Sequence, residues 1–297
     1  HCVTRRQRQM CIRDRVIVIG SGIGGLCCAA LTARAGKEVL VLEAHSQPGG
    51  AAHGFERQGY RFESGPSLWS GLSRWPSSNP LAQILRALDQ PLDVLTYKDW
   101  DVLFPEGHLR VGVGGDGFER VVERLRGPEA VAEWQRFTEV LQPIAAAADA
   151  LPLLALPASV DGIGPLLRRS GRLVQHLPAI RHLSGAFGPL VDRHLQDPFL
   201  RHWVDLLCFL ISGMPMADTN AAAMATLFGE WFDPESCLDF PKGGSAAVVE
   251  ALVRGLEAHC GSLQLGARVR EVLLDGDRAI GVELSNGETL YADVVVS

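Results

Sequence analysis

The sequence predicts an α/β fold in which a parallel-sheet domain, discontinuous in the chain, carries an inserted and largely helical region. Three observations predict it. Between Val16 and Gly50 two continuous apolar runs, Val16-Ile17-Val18-Ile19 and a second ending in Glu43, flank a helical segment from Leu26 to Ala35 that Gly36 closes. Continuous rather than alternating runs mark parallel strands covered on both faces, so this is a βαβ unit. From Leu81 to about Trp231 the apolar residues recur largely at helical spacing. Finally, short strands divided by Asp275-Gly276 and Asn286-Gly287 lead to Val294-Val295-Val296, a valine run suited to rejoining the first sheet.

Within the βαβ unit Gly20, Gly22 and Gly25 fit G-x-G-x-x-G, placed between a strand and a helix as that pattern requires. Gly20 permits the tight turn, Gly22 lets the backbone approach a pyrophosphate, and Gly25 lets the helix pack closely on the strand. The helix start presents free N–H groups and a positive dipole end to phosphates. Glu43 closes the second strand, where a carboxylate can accept hydrogen bonds from a ribose diol. These features suit an adenine dinucleotide, NAD or FAD. Pro48-Gly49-Gly50 favours FAD, because a second glycine pair lets the chain pass close to a cofactor that continues beyond its pyrophosphate. The domain is therefore Rossmann-like and FAD-binding.

The first part of that domain is expected over 16–75. Gly54 to Glu63 predicts a hairpin about Gln58-Gly59, delivering Ser64-Gly65-Pro66-Ser67, a small-residue loop able to lie against a flat ring. A helical, substrate-binding insertion follows over 76–240. Its helices are marked by Leu81, Ile84, Leu85 and Leu88, by Asp116 with Glu119 as a capping box, and by Pro128 at a first helical position. Asp197-Pro198 opens a helix that is nearly all apolar from Phe199 to Ile211, suited to a buried core or to the wall of a lipophilic tunnel. The second part of the FAD-binding domain is expected over 241–297, opening with Pro241-Lys242-Gly243-Gly244-Ser245 and a helix. Residues 1–15, basic and lacking the apolar core of a signal peptide, are taken as a non-native leader. The strand at 294–296 has nothing after it, so the domain is expected to be C-terminally truncated.

Composition narrows the function. The chain has 297 residues, 47% hydrophobic and 21% charged, with a formal net charge of −6, which is globular and offers no basic surface for nucleic acid. Seven cysteines without C-x-x-C suggest reduced thiols in a cytosol-like compartment. The densest histidines, His176, His182, His194 and His202, do not stack on one helical face, and no metal site is expected. The basic group Arg168, Arg169 and Arg172 is small. The most apolar stretch, Leu141 to Val160, is interrupted by Pro143, Asp149, Pro152 and Pro157, so no transmembrane helix is expected.

Val16 to Gly50, the stretch Gly54-Phe55-Glu56-Arg57-Gln58-Gly59-Tyr60-Arg61-Phe62-Glu63-Ser64-Gly65-Pro66-Ser67, Pro241-Lys242-Gly243-Gly244 and Gly281 to Gly287 together resemble the FAD-dependent carotenoid isomerase and desaturase family, which includes prolycopene isomerases, phytoene desaturases and retinol saturases. The resemblance implies that Gly20, Ser21, Gly22, Ile23, Gly24 and Gly25 cradle the FAD pyrophosphate and that Glu43, with Ala44 beside it, holds the adenosine ribose. It further implies that Gly49, Gly50 and Ala51 pass near the pyrophosphate and flavin side, that Gly65, Pro66 and Ser67 lie by the ring, and that the Val269 backbone meets the adenine. Many relatives in the wider superfamily carry an arginine just before the glycine pair, where this chain has Ala44-His45-Ser46-Gln47.

The implied substrate is a lipophilic polyene, isomerised, desaturated or saturated through the flavin. Neither route needs a Ser-His-Asp or paired-carboxylate site, and the sequence shows none. Arg61 and Glu63 are the polar residues nearest the ring loop, and a hairpin salt bridge explains them most simply. The cysteine usage leads to the expectation of a cytoplasmic protein, and because carotenoids live in membranes the resemblance implies a peripheral membrane contact, although no anchoring segment is visible. Nothing in the sequence sets an oligomeric state. Two alternatives share the scaffold: a flavin amine oxidase, disfavoured by a count of only 3 tyrosines for an aromatic cage, and a flavin-free lipid-binding scaffold like Rab GDP-dissociation inhibitor, disfavoured by the complete glycine turn.

Overall fold

A computed structural model of the chain describes residues 15–77, 79–105, 107–115, 117–150 and 176–297. The elements run β1 (Arg15–Ile19), α1 (Ile23–Arg34), β2 (Glu38–Leu42), β3 (Gly54–Arg57), β4 (Tyr60–Glu63), β5 (Trp69–Ser70), α2 (Pro80–Ala87), β6 (Val94–Tyr97), β7 (Asp99–Phe104) and β8 (Gly107–Gly112). There follow α3 (Phe118–Arg126), α4 (Pro128–Ala150), α5 (Leu177–Ile180), α6 (Gly188–His194), α7 (Pro198–Ser212) and α8 (Ala221–Trp231). The chain then closes with β9 (Leu238–Pro241), α9 (Ser245–Ala258), β10 (Ser262–Gln264), β11 (Val269–Asp275), β12 (Arg278–Leu284), β13 (Thr289–Tyr291) and β14 (Val294–Val296). Two compact units result: the chain up to Tyr97 with Leu238–Ser297, and Lys98–Cys237 between them.

In the first unit a four-stranded sheet has the order β10-β2-β1-β14, and every pairing in it is parallel. Val16 to Val18 and Val39, Val41 and Leu42 are buried, as continuous apolar strands require. The valine run does rejoin the first sheet, with Val16 beside Val294 and Val18 beside Val296. Leu26, Ala29, Ala30 and Ala33 of α1 pack with Val248, Ala251, Leu252 and Leu256 of α9 on one side, while Ile17, Leu42, Val282 and Leu284 form a separate core cluster. Small alanines let α1 lie close, and Gly25 sets the limit. A Cβ there would stand 2.2 Å from the Gly20 carbonyl oxygen.

The hairpin β3–β4 turns at Gln58 (φ 54°) and Gly59 (φ 79°), the two positive values that a type I′ turn requires. Phe55 and Phe62 stack across it with centroids 5.2 Å apart. The meander β11-β12-β13 is antiparallel, and β10, expected among those short strands, instead pairs parallel with β2. Arg15, counted with the leader, begins β1 and donates its N–H to Asp293. The rest of that leader, 1–14, lies outside the described residues, as do Arg168, Arg169 and Arg172.

The boundary expected at residue 76 also moves. Residues 80–97 belong to the first unit: α2 packs Leu81, Leu85 and Leu88 into the α1–α9 core, and β6 joins β5 and β9 in a three-stranded sheet. Asn79 caps α2 by accepting from the Leu81 and Ala82 N–H groups, with Pro80 in the first turn. Asp239, fully buried in β9, accepts from the Ser73 N–H and hydroxyl and from the Thr96 hydroxyl, so its carboxylate is satisfied where water does not reach.

The second unit is helical but opens with the β7–β8 hairpin, which the helical reading of 76–240 does not include. Trp100, Val102 and Phe104 alternate on its inner face and pack on an aromatic core. There Phe118 meets Trp134 and Trp203 at centroid distances of 4.8 Å each. Pro128 opens α4 as expected, and that helix continues through Pro143 to Ala150. Asp116 of the capping box lies outside the described residues; the N-cap of α3 is Gly117, and Glu119 accepts from Gln135. Asp197 caps α7, whose Phe199, Leu200, Trp203, Val204, Leu207 and Cys208 are core. Phe209, Leu210 and Ile211 at its far end are exposed.

No helix among the described residues is long and apolar enough to cross a membrane, and no cluster there could hold a metal ion. Cys27, Cys28, Cys208 and Cys237 are free thiols, whereas Cys260 is in a disulfide, a departure from the all-reduced expectation. Burial pushes the Cys27 and Cys208 thiols up to about 11, which makes both inert at neutral pH.

Gly25→Ala should be among the most damaging single-methyl additions in the first unit. The new Cβ meets backbone rather than a flexible side chain, so a loss of about 1–3 kcal/mol is expected in denaturant unfolding. Wild-type stability would contradict the packing described.

Candidate functional site

The glycine turn begins where β1 ends. Gly20 takes φ 92° and donates its N–H to the Leu42 carbonyl, so the turn is a direct extension of the β1–β2 pairing. Gly22 is the N-cap of α1 and supplies no side-chain cap, and the first turn of the helix holds no acidic residue. Its leading N–H groups therefore keep their donor capacity for an outside acceptor. Cβ atoms added at Gly20, Gly22 or Gly24 would meet nothing within 4 Å. That side of the turn is open.

The second glycine pair is joined to the first turn. Gly49 (φ 118°) donates its N–H to the Ser21 carbonyl, and Gly22 and Gly49 form an isolated parallel bridge. A Cβ at Gly50 (φ 57°) would stand 3.1 Å from the Gly22 Cα. Ala51 follows in a short 3-10 turn, and its carbonyl would lie 2.0 Å from a Cβ at Gly65. The structure thus brings Gly20 to Gly25, Gly49 to Ala51 and the loop Gly65-Pro66-Ser67 together through backbone contacts. Ile23 is partly buried against the α1 core.

Glu43 stands just after β2, facing the turn. One carboxylate oxygen accepts from the Ser21 N–H at 2.8 Å and the Ser21 hydroxyl at 2.6 Å, and the other from the His45 N–H at 2.8 Å. Burial is the largest single influence and would raise its pKa, but the bonds from the Ser21 hydroxyl and the His45 and Ser21 N–H groups, with the nearby His45, together hold it below the usual value. A carboxylate offers about four acceptor positions. Three are in use, and rotation of the Ser21 hydroxyl frees one more. Ala44 beside it is exposed.

Val269 opens β11 opposite Leu284, partly buried in the same cluster as Leu42 and Ala267. The strand leads away from Glu43 through two backbone bonds, Ala267 N–H to the Glu43 carbonyl and Gly266 N–H to that of His45.

Two participants are absent from the sequence-based set. His53 shares its Nδ1 hydrogen bond with the Gly50 carbonyl (2.8 Å) and its Nε2 with the Ser64 hydroxyl (3.0 Å). A carbonyl only accepts, so Nδ1 carries the proton. Ser245, first residue of α9, is fully buried; its N–H donates to Glu63 and its hydroxyl to the Pro66 carbonyl. Glu63 is therefore a cap for α9, not one half of a hairpin salt bridge with Arg61. Neither bond has a local sequence signal, since Glu63 and Ser245 lie 182 residues apart.

The residues fit a dinucleotide. They offer an uncapped helix start, three glycines open on one side, and an acid at the end of the neighbouring strand. Comparison with known proteins agrees. The family model for flavin-containing amine oxidoreductases matches residues 23–297. The chain is 29% identical over 288 residues to prolycopene isomerase 1, chloroplastic, from an Oncidium hybrid cultivar, covering 95% of this chain and 47% of that protein. It is 28% identical over 295 residues to a lycopene-forming phytoene desaturase of Paracoccus sp., covering 95% and 54%. The chain thus spans about half the length of the curated relatives it matches. Among solved structures it is similar to wild-type putrescine oxidase bound to putrescine, with a TM-score of 0.63 and 21% identity over 96% of this chain and 58% of that one, a likeness of fold. The chain belongs to the flavin-containing amine oxidoreductase family, and its cofactor is FAD.

Proposed function

We propose that this chain holds FAD for an oxidoreductase or isomerase acting on a lipophilic polyene of the carotenoid type. One observation carries the cofactor assignment: the joined glycine cradle, open on the side faced by the uncapped start of α1. In this reading Gly20, Ser21, Gly22, Ile23, Gly24 and Gly25 receive the pyrophosphate, whose charge the helix dipole favours. Glu43 accepts from the ribose diol once the Ser21 hydroxyl turns away, with Ala44 alongside. Gly49, Gly50 and Ala51 run along the pyrophosphate toward the flavin, Gly65, Pro66 and Ser67 border the ring, and Val269 meets the adenine through its backbone.

Bound FAD supplies the electron transfer. The chain's own part is alignment and exclusion of water, for which no acid–base pair is required. The polyene assignment is supported by the relatives named as prolycopene isomerase and phytoene desaturase. The second unit, Lys98–Cys237, is assigned to the substrate. Exposed Phe209, Leu210 and Ile211 support a peripheral membrane contact.

Titration of the apoprotein with FAD, followed by visible absorption before and after anaerobic dithionite, tests the cofactor assignment. A flavin spectrum that bleaches supports it, and no binding overturns it. Polyene isomers are then added to the oxidised and reduced forms and resolved by chromatography. Conversion in either form is expected, while oxidation of putrescine with polyenes untouched would replace the polyene by an amine.

Glu43→Ala should weaken FAD binding roughly 10- to 150-fold, the equivalent of the ~1.5–3 kcal/mol carried by hydrogen bonds to a charged group. Unchanged affinity would remove Glu43 from the ribose site. The same carboxylate gives stability a sign with pH. Its folded pKa is depressed, so its contribution is complete above its unfolded pKa of about 4.3 and disappears as pH falls through the lower folded value. The stability gap between wild type and Glu43→Gln, measured by urea unfolding, should therefore close on acidification from pH 6 toward about pH 3.

A further inference from the structure

We infer that Glu63 is a positioning residue for the cofactor, acting through α9 on the loop that borders the flavin. The inference rests on the FAD reading above. Glu63 ends β4, and its carboxylate accepts the Ser245 N–H at 2.6 Å, at the first residue of α9. A Cβ on Gly244 (φ +73°) would stand 2.3 Å from that same oxygen, so the carboxylate occupies space that only glycine leaves. The charge sits at the positive end of a 14-residue helix, which strengthens the bond.

An ordinary helix cap is local and fixes the helix alone. This one arrives from another part of the chain and is one of four contacts by which the first turns of α9 brace the cradle. The Ser245 hydroxyl bonds the Pro66 carbonyl. Cβ atoms added at Gly49 and Gly54 would lie 3.0 Å from Val249 Cγ2 and 3.4 Å from the Ala246 Cβ. Gly65, two residues after Glu63, abuts the Ala51 carbonyl. Release of the Glu63 bond therefore frees the 64–67 loop from α9 on one side while leaving Gly22 and Gly49 joined.

The test compares Glu63→Ala, Glu63→Gln and Glu63→Asp with wild type, with and without FAD. Glutamine keeps an acceptor oxygen at the same reach; aspartate is one methylene short. In the apoprotein, hydrogen–deuterium exchange over 63–67 and 243–247 should rise in the Ala and Asp variants and return to wild-type rates in Gln, with the β1–β2 amides unchanged. With FAD, the Ala variant should bind about tenfold more weakly, and the visible circular dichroism of its bound flavin should change, with Gln restoring both. Unchanged exchange in Ala overturns the clasp, whatever FAD does. Raised exchange with unchanged affinity and flavin dichroism makes Glu63 a merely structural cap and overturns its positioning role. A wild-type chain that shows the exchange pattern but binds no FAD overturns the cofactor reading, and this assignment with it.

Discussion

The bond from the Gly49 N–H to the Ser21 carbonyl is the constraint on which the rest of the first unit depends. Two backbone segments almost thirty positions apart can run side by side this closely only if neither carries a side chain between them, and the 3.1 Å clearance between Gly22 Cα and a Cβ at Gly50 shows how little room remains. That approach fixes where the chain after β2 must go. It passes along the glycine turn, reaches Ala51 against Gly65, and so places the β3–β4 hairpin and its following loop beside the first turn of α9. A sheet edge alone would leave those loops free.

Burial of charge follows the same economy. Three carboxylates that hold loops in this unit take their hydrogen bonds from backbone N–H groups and hydroxyls rather than from cations. Glu43 takes Ser21 and His45, Glu63 takes Ser245, and Asp239 takes Ser73 and Thr96. Backbone N–H groups and hydroxyls orient a carboxylate without adding a second charge to desolvate, which matters where the acid is fully buried, as Asp239 is.

What the sequence discloses and what it hides divide by the range of the interaction. β1, α1, β2 and the Gln58-Gly59 turn rest on local patterns: apolar runs, a glycine pattern in register, and two positions tolerant of positive φ. Each was readable because the physical cause lies within a few residues. The pairing of β10 with β2, the move of 80–97 into the first unit and the Glu63–Ser245 bond depend on partners far along the chain. Three residues, Ser262 to Gln264, carry too little pattern to distinguish a parallel edge from a meander. The β7–β8 hairpin does show alternation at Trp100, Val102 and Phe104, but the strong helical periodicity on both sides of it dominated the reading. His53 left no trace, since a single histidine after an alanine pair has no spacing to betray it.

The apolar helix α7 shows why a sequence pattern can be read correctly and still be incomplete. Its run from Phe199 to Ile211 reflects two environments in succession. Up to Cys208 the helix buries one face against the aromatic cluster around Phe118 and Trp134, and burial alone accounts for those residues. Beyond it, three consecutive large apolar residues, Phe209, Leu210 and Ile211, point around more than half of the helix circumference, too wide a span for one core face to cover. Gly213, in the left-handed conformation, then ends the helix and leaves Met214 exposed as well. Among the described residues, the aromatic core cluster does not include that end. Packing against the aromatic core therefore accounts for the helix only as far as Cys208, and the apolar run continues past the residues which that core buries.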